Sequence, residues 1–235
     1  MPQALLVFAL GLLAVFSVNS KIVYAGNLVG NGGLVVKCET KLGRPQSSPN
    51  NTATNTTVQY ILLDFLQTFG KDPYADSLVQ SAGGNPEVLV RGLIRRLGRL
   101  DQTRASKYIY WHNKFQNEVR YIEESLPRTM DAGLVEELPA GCELIQAVVQ
   151  RKENSINESR YVIDASIWNE LDTITKAGLI VHELVLRDAL EQDLSDTQGV
   201  RKFVRFLFSQ DLQVAGPTAY KEVLKESPCF RVVVV

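Results

Sequence analysis

Lys176-Ala177-Gly178-Leu179-Ile180-Val181-His182-Glu183-Leu184-Val185-Leu186-Arg187-Asp188 is the stretch on which the fold turns. Wound as a helix, it places Leu179, Ile180, Val185 and Leu186 on several faces at once, and a helix apolar nearly all round has to be enclosed. The same helical run reads from Ala165 to Glu191, with a bend near Asp172-Thr173. This segment is expected to be the central core helix, with the other elements packed around it.

An enclosed helix must pair its polar groups internally, so His182, Glu183 and Arg187 carry the main functional question. Glu183 and Arg187 stand at i and i+4, where they share a face and can form a charge-assisted pair. Beside an imidazole, such a pair could orient the ring or tune its proton affinity. His182 and Glu183 would then be acid/base groups, with Arg187 orienting Glu183. The alternative is a buried structural network of the same three residues. The run His182-Glu183-Leu184-Val185-Leu186 invites comparison with H-E-x-x-H zinc proteases, which need a second His one turn on. That position is Leu186, and His112 is the only other His in the chain. The order of long helix, strands, then His-Glu helix is similar to that of zincin metalloproteases, but their ligand set is missing. Neither a metal nor a cofactor is expected.

Outward from this helix, Thr197 to Ser209 reads as an amphipathic helix capped by Ser195 or Asp196, with Val200, Phe203, Val204 and Leu207 inward. Phe230 to Val235 reads as a strand. Upstream lie strand-like segments at Leu134 to Leu138, Glu143 to Gln150 and Arg160 to Asp164, the last two joined by a hairpin turn at Asn154 to Glu158. Asn85-Pro86-Glu87 is a helix start, and the helix runs to about Leu100. A second helix continues from Arg104 to about Ser125. Apolar residues at 58, 61, 62, 65, 66 and 69 predict a further helix from Val58 to Phe69, after a Ser/Thr/Asn/Pro-rich flexible loop at 43–57 and a short strand at Leu34 to Cys38. The fold class is α+β: helices packed on a small, mainly antiparallel sheet in a single domain spanning 26–235.

From Ala4 to Val18 the chain is uncharged and almost wholly apolar. About fifteen such residues suit the core of a cleavable signal peptide better than a membrane span of roughly twenty. Cleavage after Ala25 is expected, leaving a mature chain from Gly26; Met1-Pro2-Gln3 lacks the usual Lys or Arg, and the alternative is an uncleaved N-terminal anchor. An exported chain meets an oxidising compartment, so the three Cys at 38, 142 and 229 predict one disulfide and one leftover thiol. Cys38 and Cys142 are the expected pair, since both sit beside strand-like segments.

With 25 Lys and Arg against 26 Asp and Glu, the net charge is −1, and nucleic acid is not an expected partner. The one basic concentration is Arg91, Arg95, Arg96, Arg99, Arg104 and Lys107. Arg91, Arg95 and Arg99 stack at i, i+4 and i+8, which is self-repelling unless something acidic lies opposite. The stripe reads either as a site for an anionic ligand, lipid surface or acidic partner, or as a solvated face neutralised by acids elsewhere. Trp111-His112 could line an aromatic pocket, but aromatics at helical spacing are more often core, and core is the expectation.

Several segments together resemble a family of uncharacterised exported proteins of predatory, Bdellovibrio-type bacteria. They are Gly30-Asn31-Gly32-Gly33-Leu34-Val35-Val36-Lys37-Cys38, Leu97-Gly98-Arg99-Leu100-Asp101, Pro139-Ala140-Gly141-Cys142-Glu143-Leu144-Ile145-Gln146, and Trp168 through Arg187 with its H-E-x-x-x-R pattern. The family pattern has Asp where this chain has Leu34, and a His near the place where it has Asp193-Leu194-Ser195-Asp196. The resemblance implies export to the periplasm, envelope or medium, one domain, and His182, Glu183 and Arg187 as the central polar cluster. It implies no activity. The expected protein is therefore a non-enzymatic exported protein, with a secreted hydrolase using His182 and Glu183 as the alternative.

Overall fold

A computed structural model describes residues 33–42, 55–66, 84–128, 138–151, 159–193 and 197–227. The expected signal peptide, most of the 43–57 loop, most of the Leu134–Leu138 strand, the 154–158 turn, Ser195, Asp196, Cys229 and the 230–235 strand lie outside the described residues.

The chain is α+β, with seven α-helices and six strands among the described residues. β1 (Leu34–Leu42) lies between β2 (Asn55–Leu62) and β4 (Cys142–Gln146), antiparallel to both. A second sheet places β6 (Tyr161–Asp164) between β3 (Val119–Ile122) and β5 (Val148–Gln150). Its β3–β6 pair is parallel and its β5–β6 pair antiparallel. The single sheet expected from the sequence is thus two three-stranded sheets.

Ala147 alone separates β4 from β5, so the chain changes sheet in one residue. Gly33 makes the crossing work. Its carbonyl accepts from the amides of Ala147 and Val148 at 2.8 and 3.1 Å. Its φ is +69°, and a Cβ there would run into the side chain and carbonyl of Val148. Only glycine satisfies both constraints.

Helix starts follow the sequence closely. Asn85 caps α1 (Pro86–Leu97) by accepting from the Glu87 amide at 2.8 Å. Asp101 caps α2 (Gln102–Glu118), Asp164 caps α3 (Ala165–Glu170), and Asp172 caps α4 (Thr173–Leu190) at the expected bend. α5 (Thr197–Phe208) buries Val200, Phe203, Val204 and Leu207 as its spacing requires, and α6 (Asp211–Val214) and α7 (Pro217–Glu226) follow.

Two expectations are corrected. Residues 55–62 form strand β2, followed by a 3₁₀ turn at Leu63–Phe65, where the apolar spacing indicated a helix. The β-branched and aromatic residues Thr56, Thr57, Val58, Tyr60 and Ile61 suit a pleated surface, and pairing with β1 from Val35↔Leu62 to Leu42↔Asn55 outweighs the local period. The helix expected to reach Ser125 ends at Glu118, because Val119, Tyr121 and Ile122 join β6 instead.

α4 is the centre of the fold. From Ala177 to Leu186 every residue is buried, and the helix packs against α1, α2, α5 and β2. Gly178 sets the closest approach: a Cβ there would lie 2.6 Å from Leu62 Cδ2 and 2.8 Å from Phe65 Cζ. Among the described residues, no helix is long and apolar enough to cross a membrane.

Cys38 and Cys142 face each other across the β1–β4 ladder and form a disulfide with Cα atoms 4.1 Å apart. It closes a loop across a sequence separation of 104, so it removes much of the freedom of the unfolded chain. Cys38→Ser combined with Cys142→Ser should lose about 2–5 kcal/mol of unfolding free energy in urea titrations. An unchanged midpoint would show that the bond contributes nothing to the fold.

Candidate functional site

His182 lies one helical turn after Gly178, on the side of α4 that meets the 3₁₀ turn. The close approach at Gly178 brings Asp64 within reach, and His182 Nδ1–H donates to Asp64 Oδ2 at 2.6 Å. Both side chains are sealed, at 1% and 2% exposed. Burial alone would push the His182 proton off. The Asp64 charge and hydrogen bond, with help from Glu183, outweigh it and hold the imidazole above its ordinary value. Arg201 on α5 adds a third charge within electrostatic reach of Asp64. His182 Nε2 has no hydrogen-bond partner among the described residues.

Glu183, the next residue, faces elsewhere on the helix. With the Gln150 amide nitrogen turned toward α4, it donates to Glu183 Oε2 at 3.0 Å and to the Glu183 carbonyl at 3.1 Å. Oε1 has no partner among the described residues. Burial pushes the Glu183 carboxyl up to about 7, helped by the Asp64 charge and opposed by that of His182. The Gln150 N–H also favours the carboxylate and offsets part of this rise.

The expected Glu183–Arg187 pair does not form. Arg187 NH1 donates instead to Glu118 Oε2 at 2.8 Å, at the end of α2, and its guanidinium lies 4.7 Å from the centre of the Trp111 ring. The reason is exposure. Arg187 and Glu118 keep 11% and 15% of their side chains in contact with solvent, whereas Glu183 is fully buried, and an ion pair that retains some water avoids the full desolvation cost. Tyr161, on β6, is within electrostatic reach of both Arg187 and Glu183, and burial raises its hydroxyl above the usual range.

A further network sits one residue beyond Arg187. Asp188 accepts from Arg104 Nε at 2.9 Å, Lys107 Nζ at 2.7 Å and the Tyr108 hydroxyl at 3.0 Å. Arg104 NH1 also reaches Asp101 at 3.1 Å and the Tyr220 hydroxyl. Of the basic stripe, then, Arg104 and Lys107 are neutralised within the fold, and Arg99 NH2 donates to the Gln213 carbonyl at 3.4 Å. Arg91 and Arg95 remain exposed. Trp111 and His112 are core residues, with His112 Nε2 placed 2.5 Å from Glu87 Oε2.

The three residues singled out on α4 thus occupy separate environments: His182 with Asp64, Glu183 with Gln150, Arg187 with Glu118 and Trp111. Sequence reasoning missed Asp64 because it was placed inside an expected helix. A single acid in Ile61-Leu62-Leu63-Asp64-Phe65-Leu66 was the available signal. Leu186, where a second zinc-binding His would stand, is fully buried. Among the described residues, no group of three or more His, Cys, Asp or Glu could hold a metal ion. A His–Asp pair can in principle act as a general base. Here its ring is closed to solvent and Glu183 diverges from it.

Two measurements probe these assignments. The folded state holds the Glu183 proton more tightly than the unfolded chain does. Its stabilising contribution is therefore complete below about pH 4.5 and is lost as pH rises toward about 7. Glu183→Gln should flatten that decline by on the order of 1–3 kcal/mol in denaturant titrations at stepped pH; a variant as pH-sensitive as the parent would contradict it. Separately, Asp64→Leu alone should cost about 3–5 kcal/mol by stranding His182, and adding His182→Leu should recover most of that loss.

A scan against protein-family models, a search of curated proteins and a search of solved structures each give no match for this chain.

Proposed function

We propose that the protein is an exported, non-enzymatic component of the cell envelope or its surroundings, in which the His182–Glu183–Arg187 segment organises the core. The observation that carries this reading is the burial of the His182–Asp64 pair, whose side chains are 1% and 2% exposed. A general base must come within hydrogen-bond reach of the proton it takes. The Cys38–Cys142 disulfide is compatible with an oxidising compartment, and the uncharged apolar run from Ala4 to Val18 supports entry into an export route.

The test uses the full-length chain expressed in a bacterial host. Intact mass should show a product outside the cytoplasm that begins at Gly26. Diethyl pyrocarbonate, which modifies accessible imidazoles, should leave His182 unmodified in the native protein and modify it after denaturation. Native-state modification of His182 at the rate of a surface histidine would overturn the non-enzymatic reading and favour a hydrolase built on His182 and Glu183. Retention of the whole chain inside the cell would overturn export.

A further inference from the structure

Of the six basic residues between Arg91 and Lys107, Arg104 and Lys107 pair with Asp188, Arg99 donates to the Gln213 carbonyl at 3.4 Å, and Arg96 is half-buried. Arg91 and Arg95 are different. Both are exposed, they stand one turn apart on α1, and neither has an ion-pair partner among the described residues. Two guanidinium groups so placed repel each other by a few tenths of a kcal/mol, about 0.2–0.5, unless an anion lies between them.

They border a cleft of about 350 Å³ between α1 and α2, at the small end of the roughly 300–1,000 Å³ typical of ligand pockets. Gly98, the C-cap of α1, lines the cleft where one helix passes into the next. A Cβ at Gly98 would crowd Gln102 Oε1 and the Arg95 carbonyl at 3.3 Å each. The opposite wall carries Gln102 and Ser106, hydrogen-bonded to each other at 3.3 Å and able to donate to a guest. The remaining lining is aliphatic, formed by Ile94, Ala105 and Ile109, with the first two buried.

The nearest acid on the same helix is Glu87, one turn before Arg91. It lies 2.5 Å from His112 and accepts from Gln116 at 2.8 Å, and its charge also acts on Arg91, so Arg95 is the less compensated of the two arginines. Among the described residues no aromatic ring lines the cleft to give a nucleobase or sugar ring a stacking platform.

We infer that the α1–α2 cleft binds a small anionic amphiphile: one carboxylate or phosphate head between Arg91 and Arg95, with a short alkyl chain over Ile94, Ala105 and Ile109. Arginine suits such heads because its planar donors match carboxylate and phosphate oxygens in pairs. The floor supplies apolar burial that a free inorganic anion would not use.

Calorimetric titration of the purified protein with octanoate, octyl phosphate, octanol and octylamine tests the assignment. Octanoate or octyl phosphate should bind, more weakly as salt is raised, while octanol and octylamine should bind at least about tenfold more weakly. A preference for octanoate assigns a fatty-acid carboxylate, and one for octyl phosphate assigns a lipid phosphate head. Arg91→Gln with Arg95→Gln should reduce affinity at least about tenfold. Lys225→Gln, which removes another exposed cation, should leave it unchanged. Both positions on α1 are exposed, so circular dichroism of the double variant should match the parent and separate lost binding from lost folding. Silence of both anionic probes, octanol binding as tightly as octanoate, or full affinity in the double variant would overturn the inference.

Discussion

Once a helix is enclosed on every side, each ionisable side chain buried on it needs at least one partner inside the protein, and those partners have to arrive from other parts of the chain. α4 imposes this condition on the fold. His182 draws Asp64 from the turn after β2, Glu183 draws Gln150 from β5, and Asp188 draws Arg104, Lys107 and Tyr108 from α2. The apolar residues of α4 supply the attraction that buries the helix, since area removed from water is the dominant favourable term. They do not say how the surrounding elements should be arranged. The polar residues do, because an unpartnered buried charge costs several kcal/mol whereas a misplaced Leu costs much less.

The sequence conveyed this unevenly. Asn85-Pro86 and Asp172 carry helix starts in their own chemistry, and α5 shows its buried face by spacing alone, so these elements were legible from a few neighbouring residues. β2 was not. Its apolar residues fit the helical period equally well, and the pairing with β1 that decides the matter comes from residues about twenty positions away. The same cause hid Asp64, and with it the real partner of His182. The i, i+4 relation of Glu183 and Arg187 suggested a pair that geometry permitted but solvation did not favour. Arg187 could reach a partly hydrated carboxylate, and Glu183 could reach only an amide.

The basic stripe shows the same logic on the surface. Six cations close together in sequence look like one feature, yet Asp188 of α4 pairs with only two of them. Arg104 and Lys107 are consumed in holding α2 against α4. Arg91 and Arg95 face a cleft whose walls come from two consecutive helices, both packed against α4.

The Cys38–Cys142 bond has a topological consequence. It joins β1 to β4, and the chain between them contains β2, α1, α2 and β3. One peptide bond hydrolysed anywhere in that interval would leave two polypeptides still covalently joined. The cystine lies across the ladder that leads, through Ala147, into the strands packed beside α4. Where proteases are present, the molecule would then exist as a two-chain form whose separation needs a reductant as well as a cut.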